Sequence, residues 1–228
     1  MRTAQTPAPG STLVVLGDSL TWGTNFFAKS QSRLEATKQF EKVIVDSRWG
    51  RRISGVNSVR YSGNVALKQL VASGVRPTAV IVALGTNDVA ILNKRREFVA
   101  VIQELMTTIG NVPVVWVTVH RVDSASTTRK SQRFNDTLAG VLTNYPLASI
   151  YDWVSVVKSN PRVMDPDKIH LTPLGHEVRT QVYLELATVL AQRAAETTPT
   201  TLAPTTTVST STTLAPTTTV SPTTTVGS

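Results

Sequence analysis

The stretch STLVVLGDSL, Ser11–Leu20, decides the architecture: four apolar residues, Leu13–Leu16, run directly into Gly-Asp-Ser. An uninterrupted apolar run has no side left for solvent, so it reads as a central strand buried on both faces, ended by a tight strand-to-helix turn. Working outward, a polar-rich helix is expected from about Asn25 to Phe40 and a second strand over Lys42–Asp46. Asn64–Ser73 reads as a short helix ended by Gly74, with Pro77 blocking its extension, and Ala79–Leu84 as a third strand. Phe98, Ile102, Leu105 and Ile109 recur at helical spacing within Lys94–Ile109. A fourth strand over Val112–Val119, a helix over Ser131–Thr143, a fifth strand at Ala148–Tyr151 and a last helix over Thr172–Ala195 complete the series. Strands alternating with helices predict an α/β fold whose parallel sheet is covered on both faces.

In such sheets ligands bind beyond the carboxyl ends of the strands. The informative polar residues fall there: Asp18 and Ser19 after the first strand, Gly50 after the second, Asn87 and Asp88 after the third, and His120 at the end of the fourth.

Composition divides the chain near Glu196. Residues 197–228 hold no charge and no aromatic, and half of the 32 are threonine, with TTLAPTTTVS at Thr200–Ser209 and again at Thr212–Ser221. Too little apolar surface is available there to offset the entropy of ordering, so an extended, disordered stalk is expected. Such a tail suits a surface or secreted context, the alternative being an extension without function. Residues 1–10 read as a flexible lead-in without the apolar core of a signal peptide, which leaves a cytoplasmic location as the alternative. Residues 11–196 form one domain, large enough for its own core and expected to be monomeric.

Residues 1–196 carry the whole formal net charge of +8. The absence of cysteine excludes thiol nucleophiles, iron–sulfur centres and Cys-ligated zinc. Three histidines without an HxH or HExxH pattern leave no expected metal site, and no cofactor is implied. No run of 18 apolar residues marks a transmembrane helix. The basic charge is not interleaved with aromatics in any nucleic-acid-binding pattern, so no nucleic-acid partner is expected.

Serine becomes a nucleophile only when a base takes its proton and a third group holds that base in the right tautomer. Ser19 sits in the turn after the central strand, where neighbouring N–H groups can receive an oxyanion; its alternative role is a helix N-cap. His170 lies three residues after Asp167 in DPDKIHLTPLGH, a spacing that lets a carboxylate reach the imidazole within one turn. Asp165 competes with Asp167 for that role less well. Asn87 in GTND and the backbone N–H of Gly50 in DSRWGRRIS are candidate oxyanion donors, though each is also an ordinary turn residue. Asp18 and Asp88 are read as accepting local backbone hydrogen bonds that fix their turns. His120 and Arg51 are candidate substrate contacts, the alternative for His120 being a partly buried ring satisfied by the backbone; His176 is expected to be structural or solvent-facing. Trp22, Phe26 and Phe27 either line an acyl or aglycone pocket or pack a helix.

GDSL at Gly17–Leu20, Gly50, GTND at Gly85–Asp88 and DKIH at Asp167–His170 together resemble the four signature blocks of the SGNH, or GDSL-type, hydrolase superfamily. The resemblance spans roughly Leu13–Leu190 and implies a three-layer, flavodoxin-like α/β/α sandwich with a five-stranded parallel sheet. It further implies Ser19 as nucleophile, His170 as general base and acid, Asp167 as its orienting carboxylate, and Ser19, Gly50 and Asn87 as the oxyanion hole. VIVDSRWGRRIS resembles more narrowly the SGNH domains of peptidoglycan O-acetyltransferases and their stand-alone relatives. The expected activity is hydrolysis of short acyl esters, acetyl above all, on a carbohydrate or cell-wall glycan, with an anionic wall polymer as partner. Acetyl transfer to a glycan, or passive binding of a wall polymer, are the alternatives.

Overall fold

Leu13–Leu16 form the middle of β1 (Thr12–Gly17), a strand buried along its whole length. In the computed structural model, which describes residues 7–197, β1 is flanked by β2 (Lys42–Ser47) and β3 (Ala79–Ala83). Beyond β3 come β4 (Val114–Val117) and β5 (Ala148–Tyr151). The order is β2-β1-β3-β4-β5 and every pairing is parallel, so the α/β fold with a five-stranded parallel sheet is as the alternation implied.

Because successive strand side chains point to opposite faces, the sheet supplies two cores. Val14, Leu16, Val80, Val82 and Trp116 face one side. Helices α3 (Gly63–Ala72), α5 (Arg95–Ile109) and α6 (Ala125–Leu142) cover it with Leu67, Phe98, Ile102, Phe134 and Leu138. Leu13, Val15, Ile81, Val115 and Val117 face the other side. There α1 (Ser19–Ala28), α2 (Ser30–Ala36), α7 (Trp153–Ser159) and α8 (Pro173–Thr197) contribute Leu20, Leu34, Trp153, Tyr183 and Leu190. The remaining helix, α4 (Asp88–Ile91), is a single turn.

The structure departs from the pattern in instructive places. In place of one helix over Asn25–Phe40, α1 begins at Ser19 and the chain breaks at Lys29, whose left-handed φ of 53° separates α1 from α2. Thr21, Gly23 and Thr24 are small because α1 lies close against α8: the Thr21 hydroxyl meets Tyr183 Oη at 2.8 Å and Thr24 Oγ1 lies 3.2 Å from His176 Nδ1. Helix α6 starts at Ala125, six residues before the expected start at Ser131, because Ser124 Oγ accepts from Thr127 N and Thr127 Oγ1 accepts from Ser124 N. Strand β4 stops at Val117, since the side chain of Asn135 takes both the N–H and the C=O of Val119 in place of a neighbouring strand. Three cations at the start of α5 oppose its dipole, and Glu97 offsets them by accepting from Asn93 N and Lys94 N.

The threonine-rich stalk and the first six residues of the lead-in lie outside the described residues. Among the described residues no helix is long and apolar enough to cross a membrane.

The chain leaves β1 toward one edge to make β2 and then returns across it to β3. The crevice for ligands in such a sheet opens at the carboxyl ends of β1 and β3. Ser19 follows β1 and Asn87 follows β3, so the topology places them side by side. The turn between β3 and Asn87 requires Gly85: its φ is 124°, and a Cβ there would stand 2.7 Å from Val119 Cγ2 and 2.8 Å from Phe134 Cζ. Gly85→Ala should therefore lower unfolding stability by on the order of 3 kcal/mol in urea titrations. An unchanged denaturation midpoint would contradict this reading of the turn.

Candidate active site

Ser19 is the first residue of α1, but it does not cap the helix. Asp18 does, its carboxylate accepting from Leu20 N at 3.0 Å, which leaves the serine hydroxyl available to another partner. That partner is His170, whose Nε2 stands 3.2 Å from Ser19 Oγ. The other ring nitrogen, Nδ1, lies 2.6 Å from Asp167 Oδ2. Asp167 is itself held by its own turn, since its Oδ1 accepts from the backbone N–H of both Ile169 and His170 at 2.8 Å. Burial acts to raise the Asp167 pKa, but the hydrogen bonds from His170 and Ile169 outweigh it and hold the carboxyl below its ordinary range. An ionised Asp167 favours the tautomer with Nδ1–H toward the carboxylate and a lone pair on Nε2 toward the serine. Asp165 does not reach the ring; its N–H donates to His170 O and its C=O accepts from Lys168 N, which shapes the turn. The side chains of His170 and Asp167 are 50% and 42% exposed, so this line of hydroxyl, imidazole and carboxylate opens to a broad surface, not a tunnel.

Two strand-end loops are fastened together beside it. Asn87 Nδ2 donates to Arg51 O at 2.9 Å, which commits one amide hydrogen and leaves the second. Asp88 accepts from Ile53 N with both oxygens, at 3.2 and 3.1 Å, a contact 35 residues apart in sequence where a local bond was expected. Gly50 is exposed after β2 with φ 70°; a Cβ would meet nothing nearer than Tyr61 at 3.8 Å, so the backbone angle and not close packing calls for glycine.

Arg51 corrects an expectation. Its side chain is fully buried and so cannot touch substrate. The guanidinium donates to Asp46 O at 2.9 Å, Asp46 Oδ1 at 3.0 Å, Val59 O at 3.0 Å and Arg60 O at 3.4 Å. It therefore ties the end of β2 to the far side of the loop that follows. Burial pulls its pKa down, with Asp46 opposing. His120 is half-buried past the end of β4, its pKa lowered by burial and by Lys158, and it does not line the cavity described next. His176 is buried in α8 against Gly23 and Thr24 and does not face solvent, a structural position.

A cavity of about 500 Å³ is lined by Trp22, Arg48, Trp49, Val59 and Arg60. Trp22 stands one helical turn beyond Ser19, and Trp49 immediately precedes Gly50, so the cavity adjoins the serine. Of the three aromatics offered as pocket residues Trp22 lines it and Phe26 and Phe27 do not, while Val59 and Arg60 were not foreseen because they reach it only through the Arg51 contacts. Among the described residues no group of three or more His, Asp or Glu is arranged to hold a metal ion.

Two buried carboxyls underlie the site. Burial pushes Asp88 up to about 7 against the opposing Ile53 N–H and Arg52, and Asp18 up to about 6 against the Leu20 N–H and Arg179. A carboxyl whose folded pKa is raised stabilises the fold most when both states are protonated, below about pH 4, and loses that contribution as pH rises through the folded value. The stability of the wild type relative to Asp88→Asn should therefore fall between about pH 4 and 7 in urea titrations. A difference that is flat, or that grows with pH, would contradict the buried-acid assignment.

Comparison with known proteins bears on the fold and the family. No curated protein sequence gives a significant match. The fold is similar to a lipase/acylhydrolase from Enterococcus faecalis, at 17% identity over 79% of this chain and 97% of that one, with a TM-score of 0.61. It is similar to the carbohydrate acetylesterase Est24 from Sinorhizobium meliloti, at 16% identity over 79% and 99% with a TM-score of 0.61. The C-terminal catalytic domain of Streptococcus pneumoniae peptidoglycan O-acetyltransferase A is similar at 15% identity over 82% and 94%, with a TM-score of 0.58. At these identities the likeness is one of fold. The sequence match goes further, covering residues 15–178 and both ends of the Ser19–His170 pair, and it makes the chain a member of the GDSL-like Lipase/Acylhydrolase family, a serine hydrolase of acyl esters.

Proposed function

We propose that the protein removes short acyl groups, acetyl above all, from a carbohydrate or cell-wall glycan through an acyl-enzyme on Ser19. The observation that carries this is the continuous chain Ser19 Oγ, His170 Nε2 at 3.2 Å, His170 Nδ1 and Asp167 Oδ2 at 2.6 Å. His170 Nε2 takes the Ser19 proton as Oγ attacks the ester carbonyl, and Asp167 stabilises the imidazolium that forms. The tetrahedral oxyanion is received by the backbone N–H groups of Ser19 and Gly50 and by the second Nδ2 hydrogen of Asn87, which the Arg51 carbonyl keeps aimed. The imidazolium then gives its proton to the leaving sugar hydroxyl. In the second half His170 activates water against the acyl carbonyl, and the released Ser19 oxygen recovers a proton.

Three features support a short acyl group on a polymer. His170 is half exposed, the adjoining cavity is open and bordered by two guanidiniums, and two of the fold's relatives are a carbohydrate acetylesterase and a peptidoglycan O-acetyltransferase domain. A long acyl chain would want an apolar tunnel. The basic charge of the domain and the threonine-rich tail fit a protein working at an envelope surface, near an anionic polymer.

Ser19→Ala should abolish turnover of p-nitrophenyl acetate while circular dichroism and thermal unfolding stay those of the wild type; retained turnover would remove Ser19 from the chemistry. Asn87→Ala should lower kcat by on the order of 10²-fold with a smaller change in KM, as for other oxyanion donors. Incubation with an acetylated glycan and an unacetylated acceptor should release free acetate. Newly acetylated acceptor in its place would make the enzyme a transferase.

A further inference from the structure

Four aromatic rings form a connected surface beside the serine. Trp22 stacks on Phe26 with centroids 5.0 Å apart and meets Trp49 edge-on at 4.9 Å, while Phe26 meets Phe27 edge-on at 5.0 Å. These rings do not close a core: Phe26, Phe27 and Trp49 are 55%, 61% and 59% exposed. A contiguous apolar surface left in water marks a place where something binds.

What binds is narrowed by the cations. Arg48 and Arg60 line the cavity with Trp22 and Trp49, and among the described residues neither forms a salt bridge with an Asp or Glu. Both are held at the rim: Arg48 Nη1 donates to Ser47 O at 2.8 Å, and the Arg60 guanidinium lies over the Tyr61 ring at 5.1 Å. The wall that carries Val59 and Arg60 is fixed from behind by the buried Arg51 guanidinium, so the cavity is preorganised. Its volume, about 500 Å³, is that of a small-ligand site.

We propose that this cavity is a subsite for an acidic sugar, a carboxylate-bearing residue of the same glycan that presents the ester to Ser19. The C–H face of a pyranose ring carries partial positive charge and suits the electron-rich face of an indole. A guanidinium fork matches a carboxylate in shape and charge. The guanidiniums at the rim of the concavity would pair with a carboxylate on a sugar seated against the indoles, whereas a hydrocarbon chain in the same place gains nothing from them. The subsite rests on the ester-hydrolase reading of Ser19, His170 and Asp167, and the test separates the two.

Acetylated oligogalacturonate and oligomannuronate are compared with the same acetylated oligosaccharides after reduction of their carboxyls to alcohols, and p-nitrophenyl acetate is run as a reference. The expected result is a kcat/KM for at least one acidic glycan about tenfold above that for its reduced counterpart, the scale of one charge-assisted contact. The preference should be expressed in KM and weaken with salt. In Arg48→Ala/Arg60→Ala the acidic-to-reduced ratio should collapse to within about twofold of one; Trp49→Ala should lower kcat/KM on the acidic and reduced glycans alike, leaving their ratio standing. Equal rates on acidic and reduced glycans by a wild type that turns over p-nitrophenyl acetate would overturn the subsite and leave the hydrolase reading standing. So would tight binding to phosphatidylglycerol vesicles that Trp49→Ala abolishes, with no glycan preference. Failure of the wild type to turn over p-nitrophenyl acetate at all would overturn both.

Discussion

The buried Arg51 guanidinium is the interaction on which the rest of the site depends. Between Gly50 and Tyr61 the chain forms no helix or strand of its own, and it crosses the mouth of the crevice where the sheet reverses direction. Four hydrogen bonds from one side chain gather the end of β2, Val59 and Arg60 around a single charge. The same residue's carbonyl takes one hydrogen of Asn87, and two residues on, Ile53 N–H is held by Asp88. One loop is thereby set at both its faces: inward it positions Gly50 and Asn87 near Ser19, and outward it makes a wall beside Trp22 and Trp49. A buried charge is costly unless it is fully paired, and breaking such a pairing is more damaging than never having had it. This loop is therefore unlike a mobile flap over the site.

The opposite side of the site is built by different means. His170 and Asp167 come from a turn before α8 that is closed by its own backbone, with Lys168 in a left-handed conformation and Asp167 Oδ1 taking two N–H groups. Beneath Ser19, the Arg179 guanidinium is stacked 4.5 Å from the Trp153 ring centroid, donates to Tyr183 Oη and so reaches Thr21 through the tyrosine hydroxyl. The proposed base and nucleophile are thus carried by the turn that leads into α8 and by α1, two helices packed on one face of the sheet, while the proposed oxyanion donors come from loops fastened to each other. A group that moves protons and groups that receive charge are each held within a separate rigid frame, as preorganised catalysis requires.

The parts legible in the sequence are those whose pattern is local. Five apolar runs with helices between them can only make a parallel sheet, and the strand-end residues then have to converge on one edge. Asp167 and His170 could be paired from spacing because a three-residue turn closes on itself. The direction of Arg51 could not be read, because an arginine after a glycine turn points outward or inward according to a loop closed by residues eight and nine positions later. Nor could the bond from Ile53 to Asp88, which joins segments 35 residues apart. The start of α1 at Ser19 was hidden by Thr21, Gly23 and Thr24, polar or small residues whose use appears only when α8 lies against them. Composition alone made the +8 charge a diffuse property; the structure puts two of those charges, Arg48 and Arg60, in the cavity beside the serine.

The central claim is that Ser19, activated by His170, is the atom that becomes acylated. Its most direct test is to treat the protein with a fluorophosphonate, which forms a stable adduct with an activated serine, and to measure intact mass followed by peptide mapping. The account predicts one adduct per chain, on the peptide containing Ser19, and slow or absent labelling in His170→Ala. A stoichiometric adduct on any other serine, or labelling of Ser19 at full rate without His170, would contradict it.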